Sequence, residues 1–329
     1  MCMNNRPLLI LISSNRNYGW VVPAFLKANI SWADYIVITD QMSTDGSREM
    51  YAQYENVIVV DDRDMQFKEN TRARLAFEKG REIAQGRDAI YFALDIDEVL
   101  PANWMKTADG QRVLNSQPGD MFGLKWADLQ PDNKTYIEEQ AWQYKIFHDN
   151  GMAWQECGLE LHAPHLPYSS WEIEPYRITD FPNLHFGHYN KRWRAYNTKY
   201  YGMLDVHQNR SKSVIPMNRG YYYPDAKIMA LPTYEIKPEW LYDEYDIFEL
   251  VDLNAQPMGV KLIKELIEQD GIKKFLGVDI WDEDLCNELQ IKDPRTLGWK
   301  MLHWYLRVTQ PYKYTFVIRA LDKMLKYIV

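Results

Sequence analysis

The sequence predicts an α/β protein with a parallel sheet in its first hundred residues, on three observations. Short apolar runs alternate there with segments of helical periodicity, a polar cluster follows each run, and the pattern then changes to short strand-like pieces and, past Pro232, to helices. In order, residues 8–13 (LLILIS) form a strand buried on both faces. Val21, Val22, Phe25, Leu26 and Asn29 recur at helical spacing, with Pro23 confined to a first turn. Residues 35–39 (YIVIT) are a second strand, 47–54 a short helix and 57–60 a third strand. Ala73, Ala76, Phe77, Gly80, Ile83 and Ala84 mark one face of a helix that starts near Asn70, and residues 89–94 (AIYFAL) are a fourth strand. Strand-like pieces at 122–126 and 142–147 extend the same domain as a mixed sheet, and residues 260–267 and 302–325 carry apolar residues every three or four positions. The expected division is a domain over residues 1–230 and a helical region over 231–329.

Composition excludes several classes. The 329 residues are 46% hydrophobic and 26% charged, a globular balance. The 12 Trp and 23 Tyr suit a protein that stacks ring-shaped ligands. No run approaches the ~18 uncharged apolar residues of a membrane span, and the opening residues lack the apolar core and cleavage site of a secretory signal. Three widely spaced cysteines suggest neither a disulfide framework nor a zinc site, so a cytoplasmic location is expected. The net charge of −8 hides an uneven distribution: residues 231–294 carry −10 and residues 295–329 carry +6. The acidic balance and the absence of a binding motif argue against nucleic acid as a partner.

The polar clusters that follow the strands carry the chemistry. They are Ser13-Ser14-Asn15, Asp40, Asp61-Asp62 and Asp95-Ile96-Asp97-Glu98. Ligands of open parallel sheets bind outside the carboxyl ends of the strands, so a polar ligand of nucleotide size fits here. In an extended segment Asp95 and Asp97 point the same way, and two adjacent hard oxygens suit Mg²⁺ or Mn²⁺, which completes its shell with substrate phosphates and water. The turn after Asp40, TDQMSTDGS, is a capped helix start, which accounts for Asp45, Gly46 and Ser47 but not for Asp40.

TDQMSTDGS resembles the DDGSTDGS turn of family 2 glycosyltransferases, and FALDIDEVL resembles the FLDADEFL form of their metal motif. The resemblance is good over residues 7–105 and weaker to about 205. It implies the GT-A fold, a nucleotide-diphospho-sugar transferase fold, here with a mainly helical C-terminal extension. It also implies inverting transfer of a sugar from a UDP- or GDP-sugar donor to a saccharide or lipid-linked acceptor in cell-surface polysaccharide assembly. Carried over, Asp40 contacts the base or ribose, Ser13 and Asn15 line the same pocket, and Asp95 and Asp97 hold Mn²⁺ or Mg²⁺ on the diphosphate. Arg72 and Arg74 stand near the family's ARN segment and suit phosphate oxygens. The chain departs from the pattern at Gln41-Met42, where the family has a second Asp and Gly.

Six of the seven histidines lie between residues 148 and 207. LHFGHYNKRW resembles the family's late HY segment, which implies His188, then His185, as a further metal ligand; His148 and His207 are expected to be structural. A general base must take the proton of the acceptor hydroxyl. The candidates Glu160, Glu172 and Glu156 fall in WQECGLELHAP and SSWEIEP, the first of which resembles the family's GxVHE neighbourhood with Glu and His reversed.

A phosphohydrolase of the haloacid dehalogenase class would use Asp95 as nucleophile and Asp97 as acid and base, but that motif opens its domain, whereas three strand-helix units precede it here. A sugar nucleotidylyltransferase needs a glycine-rich loop after the first strand, which SSNRNYG does not match. A carbohydrate-binding protein without catalysis explains the aromatic content but not the paired carboxylates. The basic segment 295–329 admits two readings: packing, with its charges meeting the acidic stretch, or peripheral contact with the inner face of an anionic membrane.

Overall fold

The structure, a computed structural model, describes residues 6–64, 68–155, 163–167, 174–208, 210, 213–223 and 231–326. Two compact units are present. The first comprises residues 1–189 and 233–255, the second 190–232 and 256–329. The division therefore differs from a single cut after residue 230. Residues 190–232 pair with later helices, and residues 233–255 return to the first unit by adding a strand to one of its sheets.

The expected α/β architecture is that of the first unit. β1 (Leu8–Asn15), β2 (Tyr35–Asp40), β3 (Val57–Asp61) and β4 (Ala89–Ala93) are parallel, joined through α1 (Val22–Asn29), α2 (Ser47–Tyr51) and α3 (Glu69–Ala84). With β5 (Glu98–Val99), β6 (Met121–Leu124), β7 (Trp126–Leu129), β8 (Thr135–Glu138), β9 (Gln143–His148), β10 (Tyr176–Arg177), β11 (Asn183–His185) and β12 (Thr233–Glu235), the strands form two sheets. The larger has the order β10-β6-β9-β4-β1-β2-β3, with β9 antiparallel to both β4 and β6. The smaller has the order β12-β8-β7-β11-β5.

β1 is apolar from Leu8 to Ile12 because both faces of the large sheet are covered there. Leu9 and Leu11 pack with Val22, Phe25 and Trp104 on one side, whereas Leu8, Ile10 and Ile12 pack with Ala76, Phe77 and Tyr91 on the other. The chain leaves β1 toward β2 and β3, then crosses back through α3 to place β4 on the other side of β1. This reversal of strand order opens a crevice at the carboxyl ends of β1 and β4, and it fixes where the polar clusters gather.

The second unit is helical. α5 (Lys191–His207) packs on α7 (Met258–Asp270), and α6 (Val214–Tyr221) meets α9 (Leu297–Thr309) through Ile215, Tyr223, Leu302 and Leu306. The short α4 (Ala108–Leu114) belongs to the first unit; α8 (Glu283–Leu289) and α10 (Phe316–Leu325) complete the second, the break before α10 falling at Pro311 as the periodicity requires. The buried Asp279 carboxylate takes Arg295 Nη1 at 2.8 Å and Arg307 Nη2 at 2.7 Å, and Arg219 binds Asp322 at 2.7 Å. Arg295 and Arg307 thus meet the acidic stretch inside the unit. Among the described residues, no helix is long and apolar enough to cross a membrane.

α5 and α7 approach closely at Gly259, where a methyl group would lie 2.6 Å from the backbone carbon and oxygen of Tyr196. Alanine adds about 1 kcal/mol of helix propensity, yet backbone atoms cannot swing aside, and overpacking costs about 1–3 kcal/mol. Gly259→Ala is expected to lower the urea midpoint of the second unit; an unchanged or higher midpoint would show that the helices separate freely.

Candidate active site

The site grows from the short linker between β4 and β5. Glu98 follows the paired carboxylates and is fully buried, so its charge has to be matched internally. Its Oε2 accepts the Asp95 backbone N–H at 3.0 Å, and its Oε1 accepts the Trp126 indole N–H at 2.6 Å and lies 3.0 Å from Lys145 Nζ. Lys145, buried on β9, also reaches Asp95 Oδ2 at 2.8 Å. Asp95 Oδ1 lies 3.3 Å from His165 Nδ1. One ammonium therefore stands between two carboxylates, one closed off and one partly open.

Their protonation follows from this. Burial resists ionisation of Asp95, but the charges of Lys145 and His165 hold it well below the usual carboxylate range. Burial pushes Glu98 up to about 7 against the pull of Lys145. Burial also opposes the charge on Lys145, and the two carboxylates override it and raise its pKa.

Asp97 faces a second arrangement on the smaller sheet. Glu98, Trp126, Asp128, Asn183 and His185 share one face, because β5, β7 and β11 pair His185 with both Glu98 and Asp128 and Asn183 with Trp126. His185 Nδ1 lies 2.6 Å from Asp128 Oδ1, its ring stacks on Trp126 at 4.6 Å, and its Nε2 lies 3.7 Å from Asp97 Oδ2. Burial opposes a proton on His185, and Asp97 and Asp128 together raise its pKa well above the ordinary imidazole value. His188 Nδ1 lies 3.5 Å from the other oxygen of Asp128.

The residues at the ends of β1 and β2 form a neighbouring group. Asp40 is buried and accepts Arg48 Nη1 at 2.9 Å, the Ser43 N–H at 2.8 Å and Asn15 Nδ2 at 3.3 Å. Asn15 Oδ1 in turn accepts the Tyr18 N–H at 3.1 Å. Ser13 is buried beside them, and its hydroxyl has no partner among the described residues. Met42 stands at φ 53°, a left-handed conformation that glycine adopts without cost. Asp45 accepts the N–H groups of Gly19 at 2.6 Å and Ser47 at 3.2 Å, tying the helix start to the loop after β1.

Arg72 is buried on α3, where its carbonyl accepts the Thr39 hydroxyl at 2.9 Å, and its charge acts on Glu69 and His165. Arg74 is half-buried two residues along, on the opposite side of the helix. Glu156, Glu160, Glu172 and His162 lie outside the described residues. His148 is buried between Ser116 at 2.9 Å and Asp88 at 2.6 Å, and His207 binds Asp270 at 2.7 Å, which gives both a structural role.

The donor set bears on a divalent cation. Among the described residues no three ligating side chains gather as a metal group, so Asp95, Asp97 and His188 do not converge. Asp97 and His185 do fit as a pair. Their 3.7 Å separation is somewhat wider than the roughly 3.0–3.4 Å between neighbouring donors on one cation at about 2.1 Å each, so a small closing shift would let both ligate. Asp128 behind His185 is the carboxylate partner that orients a ligating imidazole.

No protein-family model matches the chain, and no curated protein matches it. Among solved structures the chain is similar to glucosyl-3-phosphoglycerate synthase from Mycobacterium tuberculosis, in complex with Mn²⁺, uridine diphosphate and glucosyl-3-phosphoglycerate, at 13% identity over 36% of this chain and 44% of that one, with a TM-score of 0.26. The match thus spans less than half the length of that synthase. It is also similar to a 4-diphosphocytidyl-2C-methyl-D-erythritol synthase, at 12% identity over 44% of this chain and 76% of that one, with a TM-score of 0.30. Residues 1–349 of S. aureus TarS are similar at 12% identity over 93% of this chain and 91% of that one, with a TM-score of 0.34.

Lys145→Met would leave Glu98 buried beside Asp95 without their shared cation, an expected loss of about 3 kcal/mol at neutral pH. The folded variant then holds a proton on Glu98 that the unfolded chain has released, so its stability falls as pH rises through and above neutrality, and the loss is smaller at about pH 5. Urea unfolding of both proteins at the two pH values checks this; equal losses would mean that the ammonium does not hold the pair.

Proposed function

We propose that the first unit has a GT-A fold and is a family 2 glycosyltransferase, metal-dependent and inverting, which moves a hexosyl group from a UDP- or GDP-sugar to a saccharide or lipid-linked acceptor. The reading is supported above all by the Asp97–His185 pair, set beside the crevice at the reversal of strand order and backed by Asp128. The presence of Asp40, Asn15 and Ser13 at the neighbouring strand ends supports a nucleotide side of the same crevice, and Arg72 and Arg74 supply charge for phosphate.

Mn²⁺ or Mg²⁺ bound with the donor would neutralise charge on the departing diphosphate. Asp97 and His185 are the residues that would hold it, with Asp128 fixing the imidazole. Asp95 contributes at one remove, since its Oδ2 is engaged by Lys145. The acceptor oxygen bonds to the anomeric carbon as the bond to the diphosphate breaks, and the hydroxyl proton passes to a carboxylate, for which Glu160, Glu172 and Glu156 remain the candidates. The expected setting is the cytoplasm, in assembly of cell-surface polysaccharide.

The decisive measurement is release of nucleoside diphosphate from a panel of nucleotide sugars. Asp97→Ala is expected to lower the rate about 10²-fold or more, and EDTA should do the same to the unaltered protein. Full turnover in EDTA would remove the metal. Calorimetric titration with UDP and GDP, with and without Mn²⁺, tests the nucleotide side: affinity should fall in Asp40→Ala, and unchanged affinity for both nucleotides would take Asp40 out of the site.

A further inference from the structure

The last two helices leave apolar residues outside the core on a regular spacing. On α9 these are Leu297, Met301, Trp304 and Val308, all on one face, with Leu297 74% and Trp304 67% exposed. The opposite face of α9 carries Leu302 and Leu306 into the core of the second unit, so the outward stripe is surplus to packing. On α10 the exposed stripe is Val317, Leu321 and Met324, with Phe316 86% exposed at its start. No residue of α10 is buried.

The charge on α10 is segregated from that stripe. Arg319, Lys323 and Lys326 recur at the same spacing on the opposite side and line a cavity of about 830 Å³ with Arg219 and Pro216. Among the described residues Arg319, Lys323 and Lys326 make no ion pair, whereas Arg295, Lys300 and Arg307 on the preceding segment are paired with Asp279 and Asp293. The segment 295–329 thus divides in two. Its first half pairs its charge with Asp279 and Asp293, and its second half leaves Arg319, Lys323 and Lys326 exposed around an open cavity.

A helix with large apolar residues on one face and lysine and arginine on the other is the pattern that lies in the interface of a bilayer. We infer that α9 and α10 form a docking surface for an anionic phospholipid bilayer, the apolar stripes entering the headgroup boundary and Arg319, Lys323 and Lys326 meeting lipid phosphates. Charge chooses this occupant. The chain carries −8 overall and +6 over residues 295–329, so an anionic surface attracts this end and repels the remainder.

Flotation of the full chain with vesicles tests the inference. Binding is expected to vesicles of phosphatidylglycerol and phosphatidylcholine in equal parts, not to phosphatidylcholine alone, and to weaken as salt rises. The triple variant Arg319→Gln, Lys323→Gln, Lys326→Gln should weaken it about 10²-fold, near tenfold or less per charge. The exposed pair Trp304→Ser, Phe316→Ser should weaken it while leaving the unfolding midpoint unchanged. No binding to anionic vesicles at low salt, equal binding to neutral ones, or indifference to both variants would overturn the proposal. So would a dimer in sedimentation equilibrium that the Trp304 and Phe316 variant dissociates, because the stripes would then belong to a second copy.

Discussion

Glu98 is fully buried, and the chain around the site is arranged so that this carboxylate is never alone. The Asp95 amide, the Trp126 indole and the Lys145 ammonium converge on it from three different elements. Each of these contacts also fixes something else. The amide sets the turn that carries Asp95 and Asp97 past the end of β4. The indole aligns β7 with β5 and holds the ring on which His185 stacks. The ammonium ties β9 of the large sheet to the linker that begins the small one. Removing a single partner would strand a buried charge, which costs more than the pair itself contributes.

The same argument separates the two acidic residues that look equivalent in sequence. Asp95 is neutralised from within the protein by Lys145, and Asp97 faces the His185 imidazole at 3.7 Å. Identical side chains two residues apart consequently face different electrostatic surroundings, set by Lys145 and His185 far along the chain.

That distance explains what sequence reading reached. β1, β2 and β4 were legible because burial on both faces leaves unbroken apolar runs, β3 because its short VIVV run stays apolar at the sheet edge, and the alternation of strand and helix survives without knowledge of contacts. Asp95 and Asp97 were legible because an i, i+2 pair at a strand end is a local signal. Lys145 was not, although a lysine inside QYKIFH, between residues that alternate into a core, is an anomaly that asks for a buried partner. Asp128 and Trp126 were missed for a similar reason: their pairing with His185 depends on the register of three short strands, and none of those strands is long enough to announce its face. The division of the helical region was also out of reach, because α5 packs on α7 some sixty residues later.

The path of the chain between the two units has its own consequence. It leaves the first unit after Tyr189, comes back at Thr233, and leaves again after Ala255. The returning stretch supplies β12 at the edge of the small sheet, and its Trp240 is buried against Tyr136. Neither unit is therefore a continuous piece of sequence, and no single truncation frees one intact. A protein shortened after residue 230 would lose an edge strand and bare part of an aromatic cluster. A cleaner dissection would excise residues 190–232 with 256–329 and join Tyr189 to Thr233, which keeps every strand of both sheets on one polypeptide.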